Sequence, residues 1–192
     1  ADRTGGENNN TFYAYEVTNT GVNTTPVTSL LPIGINERRG YLKFSPSGEK
    51  LAAANVGSGL YLFDFDLTTG LVSNPQLIPI NYRRTPNEIQ SPYGVEFSPD
   101  NNLLYITTYY ETPQSQFDNP SAQYGALLQY NLNAANIPAS ERVISNSQTY
   151  RTALQLEPDG KIYRTTSATY NQGLPFLSVI NDPNNIGVAC NY

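Results

Sequence analysis

The segment GYLKFSPSG at positions 40–48 returns as YGVEFSPDN at 93–101 and again as TALQLEPDG at 152–160. Its central prolines, Pro46, Pro99 and Pro158, are 53 and 59 positions apart. Each copy reads as an alternating strand, a Pro-containing tight turn and a second strand: Lys50 to Asn55, Leu103 to Thr108, and Lys161 to Thr166. Proline presets φ at the first corner, and Gly or Asn accepts the positive φ that the reversal requires. Self-similarity of this kind points to a repeat architecture.

A second pattern runs in register with the first. LYLFDF at 60–65 followed by TGLVSNP at 69–75 matches FYAYEV at 12–17 followed by TGVNTTP at 20–26, with Gly21 to Gly70 and Pro26 to Pro75 both 49 positions apart. The unit is therefore an inner strand, a Pro turn, a second strand, an aromatic third strand, a Thr-Gly turn and an outer fourth strand. Four short antiparallel strands every fifty or so residues is the period of a β-propeller blade. A β-sandwich also has many short strands, but without the same turn chemistry at fixed offsets.

The predicted fold is all-β, a propeller of four-stranded blades with about three and a half visible. These are a half blade at 11–39, a blade at 40–91, a blade at 92–150 with an insertion at 111–124, and a final blade at 151–192. Propeller rings close with roughly four to eight blades. The expectation is the C-terminal part of a six- to eight-bladed propeller, whose remaining blades lie upstream or come from a second chain.

Composition narrows the chemistry. Absent His removes imidazole bases, Ser–His and Cys–His dyads and His-ligated metal sites. A net charge of −5 disfavours nucleic acid as a partner. No apolar run is long enough to insert in a bilayer. Cys190 is the only cysteine, so an internal disulfide is excluded; it reads as a small buried residue of the last strand, with a bond to an outside partner as the alternative.

The strings TFYAYEVTNTGVNTTPV, GYLKFSPSGEKLAAANVGSGLYLFDFDLTTGLVSNP, SPYGVEFSPDNNLLYITTYY, ALQLEPDGKIY and INDPNNIGVACNY resemble the propeller of large surface-exposed Bacteroidota proteins. Those proteins carry PKD-type domains and gliding-motility-associated or type IX secretion sorting domains. The resemblance implies export and a place at the cell surface, on the outside of the outer membrane. It carries over no enzymatic activity.

Three groups of residues are candidates for a site. Arg38, Arg39, Arg83, Arg84 and Arg151 each precede the first strand of a blade, which places guanidinium groups around one rim where they would receive a carboxylate or acidic glycan. The competing reading is pairing with Glu37, Glu88 or Glu96. Tyr93, Tyr105, Tyr109, Tyr110 and Tyr124 bracket the insertion, and Tyr109, Tyr110, Phe117 and Tyr124 join the binding candidates as an aromatic, amide-rich palette suited to a glycan or protein, with local packing as the equal alternative for Tyr109, Tyr110 and Phe117. Tyr41, Phe44, Phe63, Phe65, Phe97 and Tyr163 are assigned to the core. Asp64 and Asp66 read either as a cation or acid–base pair or as a solvated strand face, and Asp159-Gly160 and the Asp182–Asn185 run read first as turns.

No catalytic constellation, cofactor or metal site is expected from these residues. The leading expectation is a non-catalytic binding or scaffold module for adhesion or surface assembly, with a surface protein or glycan as partner. The alternatives are a polysaccharide-acting lyase or glycosidase using the propeller channel through Glu96 or Glu157, and the structural half of a split propeller.

Overall fold

The computed structural model describes residues 9–37 and 39–192. Its strands are β1 (Asn9–Ala14), β2 (Val17–Thr18), β3 (Gly21–Val22), β4 (Val27–Ile35), β5 (Gly40–Phe44), β6 (Lys50–Asn55), β7 (Gly59–Phe65), β8 (Val72–Ile78), β9 (Gln90–Phe97), β10 (Leu103–Tyr110), β11 (Gly125–Asn131), β12 (Arg142–Ser147), β13 (Leu154–Leu156), β14 (Ile162–Arg164) and β15 (Ser178–Ile180). They form antiparallel sheets in strict chain order. β5-β6-β7-β8 and β9-β10-β11-β12 are four-stranded, β13-β14-β15 is three-stranded, β1 pairs with β4, and β2-β3 is a small hairpin.

The repeated turns show why the motif recurs. In the first copy the Ser45 hydroxyl accepts the Lys50 N–H at 3.0 Å, and Gly48 takes φ +79°. In the second, Ser98 accepts the Leu103 N–H at 2.9 Å, and Asn101 takes φ +66°. The third copy has Glu157 in the serine position; its backbone closes on Lys161 at 3.0 Å, and Gly160 takes φ +78°. The Thr-Gly turn uses Asp66, whose carboxylate accepts from the Thr68 and Thr69 N–H groups at 2.8 and 3.1 Å. Asp64 instead binds Lys50 Nζ at 2.5 Å and Asn74 Nδ2 at 2.6 Å. The two aspartates therefore serve a turn and a strand edge, and do not form a pair.

The sheets stack face to face, so the middle strands bury both faces and read as continuous apolar runs. Ala52, Ala54, Leu60 and Leu62 meet Val95, Phe97, Leu104 and Ile106 in one core. Leu51, Ala53 and Phe63 meet Leu31 on the opposite side of the same sheet. Leu103, Tyr105 and Leu127 meet Leu154, Ile162, Ile180 and Cys190 in the third core. Each fully buried Leu, Ile or Phe in these layers stabilises by about 1.5–3 kcal/mol. Cys190 is fully buried, so a bond to an outside partner would require this core to open.

Two core assignments need correction. Phe44 is 51% exposed, and its neighbour on the same face, Leu42, is 54% exposed. The physical reason is that β1 and β4 pack over Phe63 and Val72, toward the outer side of the β5–β8 sheet, and leave the face of β5 uncovered. Tyr163 is half-buried, with its hydroxyl on Asp159 at 2.8 Å. Phe63 and Phe97 are buried as expected, at 1% and 0%.

Candidate functional site

Antiparallel register sorts the loops to two ends. Gly40 pairs with Asn55, Gln90 with Tyr110, Leu154 with Arg164, and Tyr109 with Gly125. The segments entering β5, β9 and β13, together with the 111–124 insertion after β10, therefore gather at one end of the sheets. The three Pro turns lie at the other.

At the first end Glu111 is the hub. Its carboxylate takes Arg39 Nη1 at 2.9 Å, Arg151 Nη2 at 3.2 Å and the Tyr109 hydroxyl at 2.7 Å. Arg39 also holds Glu37 at 2.7 Å, so two carboxylates occupy the two terminal nitrogens of one guanidinium fork. The Arg151 guanidinium lies 4.7, 4.9 and 5.8 Å from the ring centres of Tyr109, Tyr150 and Tyr93, within cation–π range. Ring contacts continue in a line from Tyr41 through Tyr93, Tyr109, Tyr150 and Tyr170 to Phe117, with centroid separations of 5.5–6.1 Å.

The charges follow from these contacts. Burial pushes the Glu111 carboxyl upward, but the Tyr109 hydroxyl and Arg39 outweigh it and leave the group below its ordinary value. Hydrogen bonds to Glu37 and Glu111 hold Arg39 more firmly protonated than usual. Burial, reinforced by Glu111, raises Tyr109, and burial raises Tyr150 and Tyr41. At neutral pH the site is an ionised carboxylate between guanidinium groups, walled by protonated phenols.

The insertion is a folded element. It contains two short 3₁₀ turns at Gln114–Gln116 and Pro120–Ala122. The Gln123 amide donates to the carbonyls of Gln116, Phe117 and Asn119. Phe117 stacks on Tyr170, and Asn171 donates to Asp118 at 2.7 Å, which docks the insertion on the last sheet's loop. Four atoms around it, Arg151 Nε, the Tyr150 hydroxyl, the Thr112 hydroxyl and Gln123 Oε1, are buried without a hydrogen-bond partner among the described residues.

The remaining candidates form a second group or none. Arg84 pairs with Glu88 at 2.8 Å and lies 4.3 Å from the Tyr124 ring centre. The Tyr124 hydroxyl is 3.0 Å from that of Tyr82, which burial and this contact push up to about 12. Arg83 turns to the carbonyls of Ile80 and Tyr82, both at 2.7 Å, beside an apolar cleft of about 330 Å³ lined by Val56, Leu60, Ile78 and Ile89. Tyr110 is half-buried, and its N–H closes the base of the insertion on the Tyr124 carbonyl. Arg38 lies outside the described residues. Arg39 and Arg151 thus converge, whereas Arg83 and Arg84 do not join them.

Glu96 and Glu157, the carboxylates considered for channel chemistry, do not converge. Glu96 is buried on the inner strand against Lys43 and the Leu156 N–H, and Glu157 is exposed in the third turn. Glu111 is absent from the sequence-derived candidates. The available signal was its position directly after Tyr109 and Tyr110, where the strand hands over to the insertion.

No model of a known protein family matches the sequence, and no curated protein does. Solved structures do. The PQQ domain of pyranose dehydrogenase from Coprinopsis cinerea matches at a TM-score of 0.52 and 15% identity, over 89% of this chain and 46% of that one. A protein from Lactobacillus plantarum matches at 0.50 and 16% identity, over 88% and 49%. The periplasmic gluconolactonase PpgL from Pseudomonas aeruginosa gives 0.48 and 12%, over 88% and 51%. The chain spans about half the length of these structures. The likeness shows a propeller-like fold of antiparallel four-stranded sheets. The expectation of a non-catalytic adhesion or assembly module without enzymatic activity is corrected by the same comparison, in which a matched solved structure of this fold is the PQQ domain of a dehydrogenase.

Proposed function

We propose that the chain is part of a carbohydrate-acting propeller enzyme, and that the rim built by Arg39, Glu111, Arg151 and the tyrosines is its substrate-binding face. The observation that carries this reading is the Glu111 hub. An ionised carboxylate held by two guanidinium groups and a phenol, partly open to solvent, sits at the end of the inner strands beside a line of aromatic rings. Tyr109 and Tyr150 are buried, while the exposed Tyr170 and half-buried Tyr41 and Tyr93 offer faces suited to the apolar faces of sugar rings, and the carboxylates and guanidinium groups suit hydroxyl groups. Glu37 and Glu111 are the carboxylate pair at this end, the residue type that glycoside cleavage uses.

The same proposal takes the four sheets as about three and a half blades of a six- to eight-bladed ring, with the uncovered Leu42 and Phe44 facing the inner strands that would complete the half blade of β1 and β4. Surface display, as the Bacteroidota resemblance implies, would place a cell-surface or environmental glycan within reach. The test is turnover by the full-length protein on a panel of neutral and acidic oligosaccharides, repeated with Glu111→Gln. A loss of kcat/KM of about 100-fold or more is expected while the variant remains folded at the assay temperature, in the range of a removed catalytic or transition-state contact. Absence of turnover across the panel, or full activity in the variant, overturns the reading.

A further inference from the structure

Arg164 is the largest fully buried side chain of the chain, 1% exposed, on β14 at the interface of the last two sheets. Its Nε donates to the Thr152 hydroxyl at 3.1 Å, and its Nη1 donates to the Tyr192 hydroxyl at 2.8 Å. Its Nη2 is buried without a partner among the described residues. Among the described residues no carboxylate lies within ion-pair distance of it, whereas Arg39, Arg84 and Arg151 each hold one. A guanidinium group cannot shed its proton in a protein, and an uncompensated buried charge is among the costliest features a fold can carry. The Tyr192 ring, 5.9 Å away, is at the outer limit of cation–π contact and offsets little of that cost.

The donors around Arg164 point the same way. Thr152 and Tyr192 each accept a bond from Arg164, so each hydroxyl keeps its own proton free to donate. With Nη2 they make a set of donors around a fixed positive charge. Tyr192 is 39% exposed, so the donor set lies beneath a residue that reaches solvent. Leu154, which pairs with Arg164 across the sheet, and Ile162 are packed in the adjoining core, and three donors around one charge suit a small anion. We propose that Arg164, Thr152 and Tyr192 form a structural site for a small monovalent inorganic anion, of chloride size, between the third and fourth sheets. Binding there supplies the missing counter-charge and couples the stability of the last sheet to anion concentration. This site is separate from the Glu111 rim and stands whether or not the rim binds sugar.

The experiment is thermal unfolding of the full chain in sodium chloride against sodium methanesulfonate at equal ionic strength. The wild type is expected to gain about 5 °C or more once chloride exceeds its dissociation constant about 100-fold, following a single-site saturation curve. Arg164→Met removes the dependence. If that variant fails to fold, Tyr192→Phe keeps the charge, loses one donor and shifts the chloride midpoint upward. Bromide soaked into crystals gives an anomalous peak beside Arg164 Nη2. Identical melting in the two salts, or bromide bound only elsewhere, overturns the site.

Discussion

Glu96 ties three sheets together at a single carboxylate, and replacing it with Gln measures what that tie contributes. The side chain is 5% exposed. Its Oε1 accepts the Phe97 N–H at 3.0 Å, and its Oε2 accepts the Leu156 N–H at 3.0 Å and Lys43 Nζ at 3.1 Å. Those donors come from β9, β13 and β5, the innermost strand of each sheet. Gln keeps the volume but carries one acceptor oxygen, so its amide N–H₂ must confront either the Phe97 donor or the Leu156 and Lys43 donors. Lys43, whose side chain is 20% exposed, also loses its counter-charge and keeps only Gln155 Oε1 at 2.5 Å. Charged hydrogen bonds contribute about 1.5–3 kcal/mol, and breaking a buried pair costs about 3–5 kcal/mol. The partial exposure of Lys43 keeps the expected loss near the lower figures, at about 2–3 kcal/mol. For a domain of this size that is a fall in Tm of about 5–10 °C. Urea unfolding checks it as a shift in midpoint at constant slope, and the Lys43→Met, Glu96→Gln double-mutant cycle should return a coupling of about 1 kcal/mol or more. A loss below about 0.5 kcal/mol with additive single mutants would refute the claim that this carboxylate holds the inner strands in place.

Two further outcomes follow from the rim and the sheet spacing. The folded-state Glu111 carboxyl lies below its ordinary value, so its contribution is present above the unfolded-state pKa and is lost as pH falls through the folded value. Tm measured from about pH 5 to about pH 3 should therefore drop more steeply in the wild type than in Glu111→Gln, and equal slopes would count against the hub. A Cβ on Gly94 would stand 2.6 Å from the Thr152 carbonyl and 2.8 Å from Thr107 Oγ1. Gly94→Ala should cost about 1–3 kcal/mol, while Gly173→Ala, with nothing within 4 Å, should stay near neutral; comparable melts for the two would be inconsistent with so close an approach of β9 and the segment entering β13.

Local chemistry determined the strands and turns, and these were legible residue by residue. Ser45-Pro46-Ser47-Gly48 and its copies contain their own hydrogen-bond acceptor, preset φ and left-handed position, so each hairpin closes without help from the rest of the chain. Alternation likewise marked Phe63 and Phe97 as buried, because side-chain direction in a strand has period two whatever packs against it. Tertiary structure decided what lies opposite each face and which loops share an end. Phe44 has the same pattern as Phe97, yet one is half exposed and the other fully buried, since only one has a full sheet in front of it. Arg39, Glu111 and Arg151 are separated by 72 and 40 positions along the chain and meet only because three sheets stack in register. Arg84 pairs with Glu88 four residues on, whereas Arg39 holds Glu37 with one nitrogen and reaches Glu111 with the other. Pairing of charges depends on distance in space, which a linear pattern does not encode.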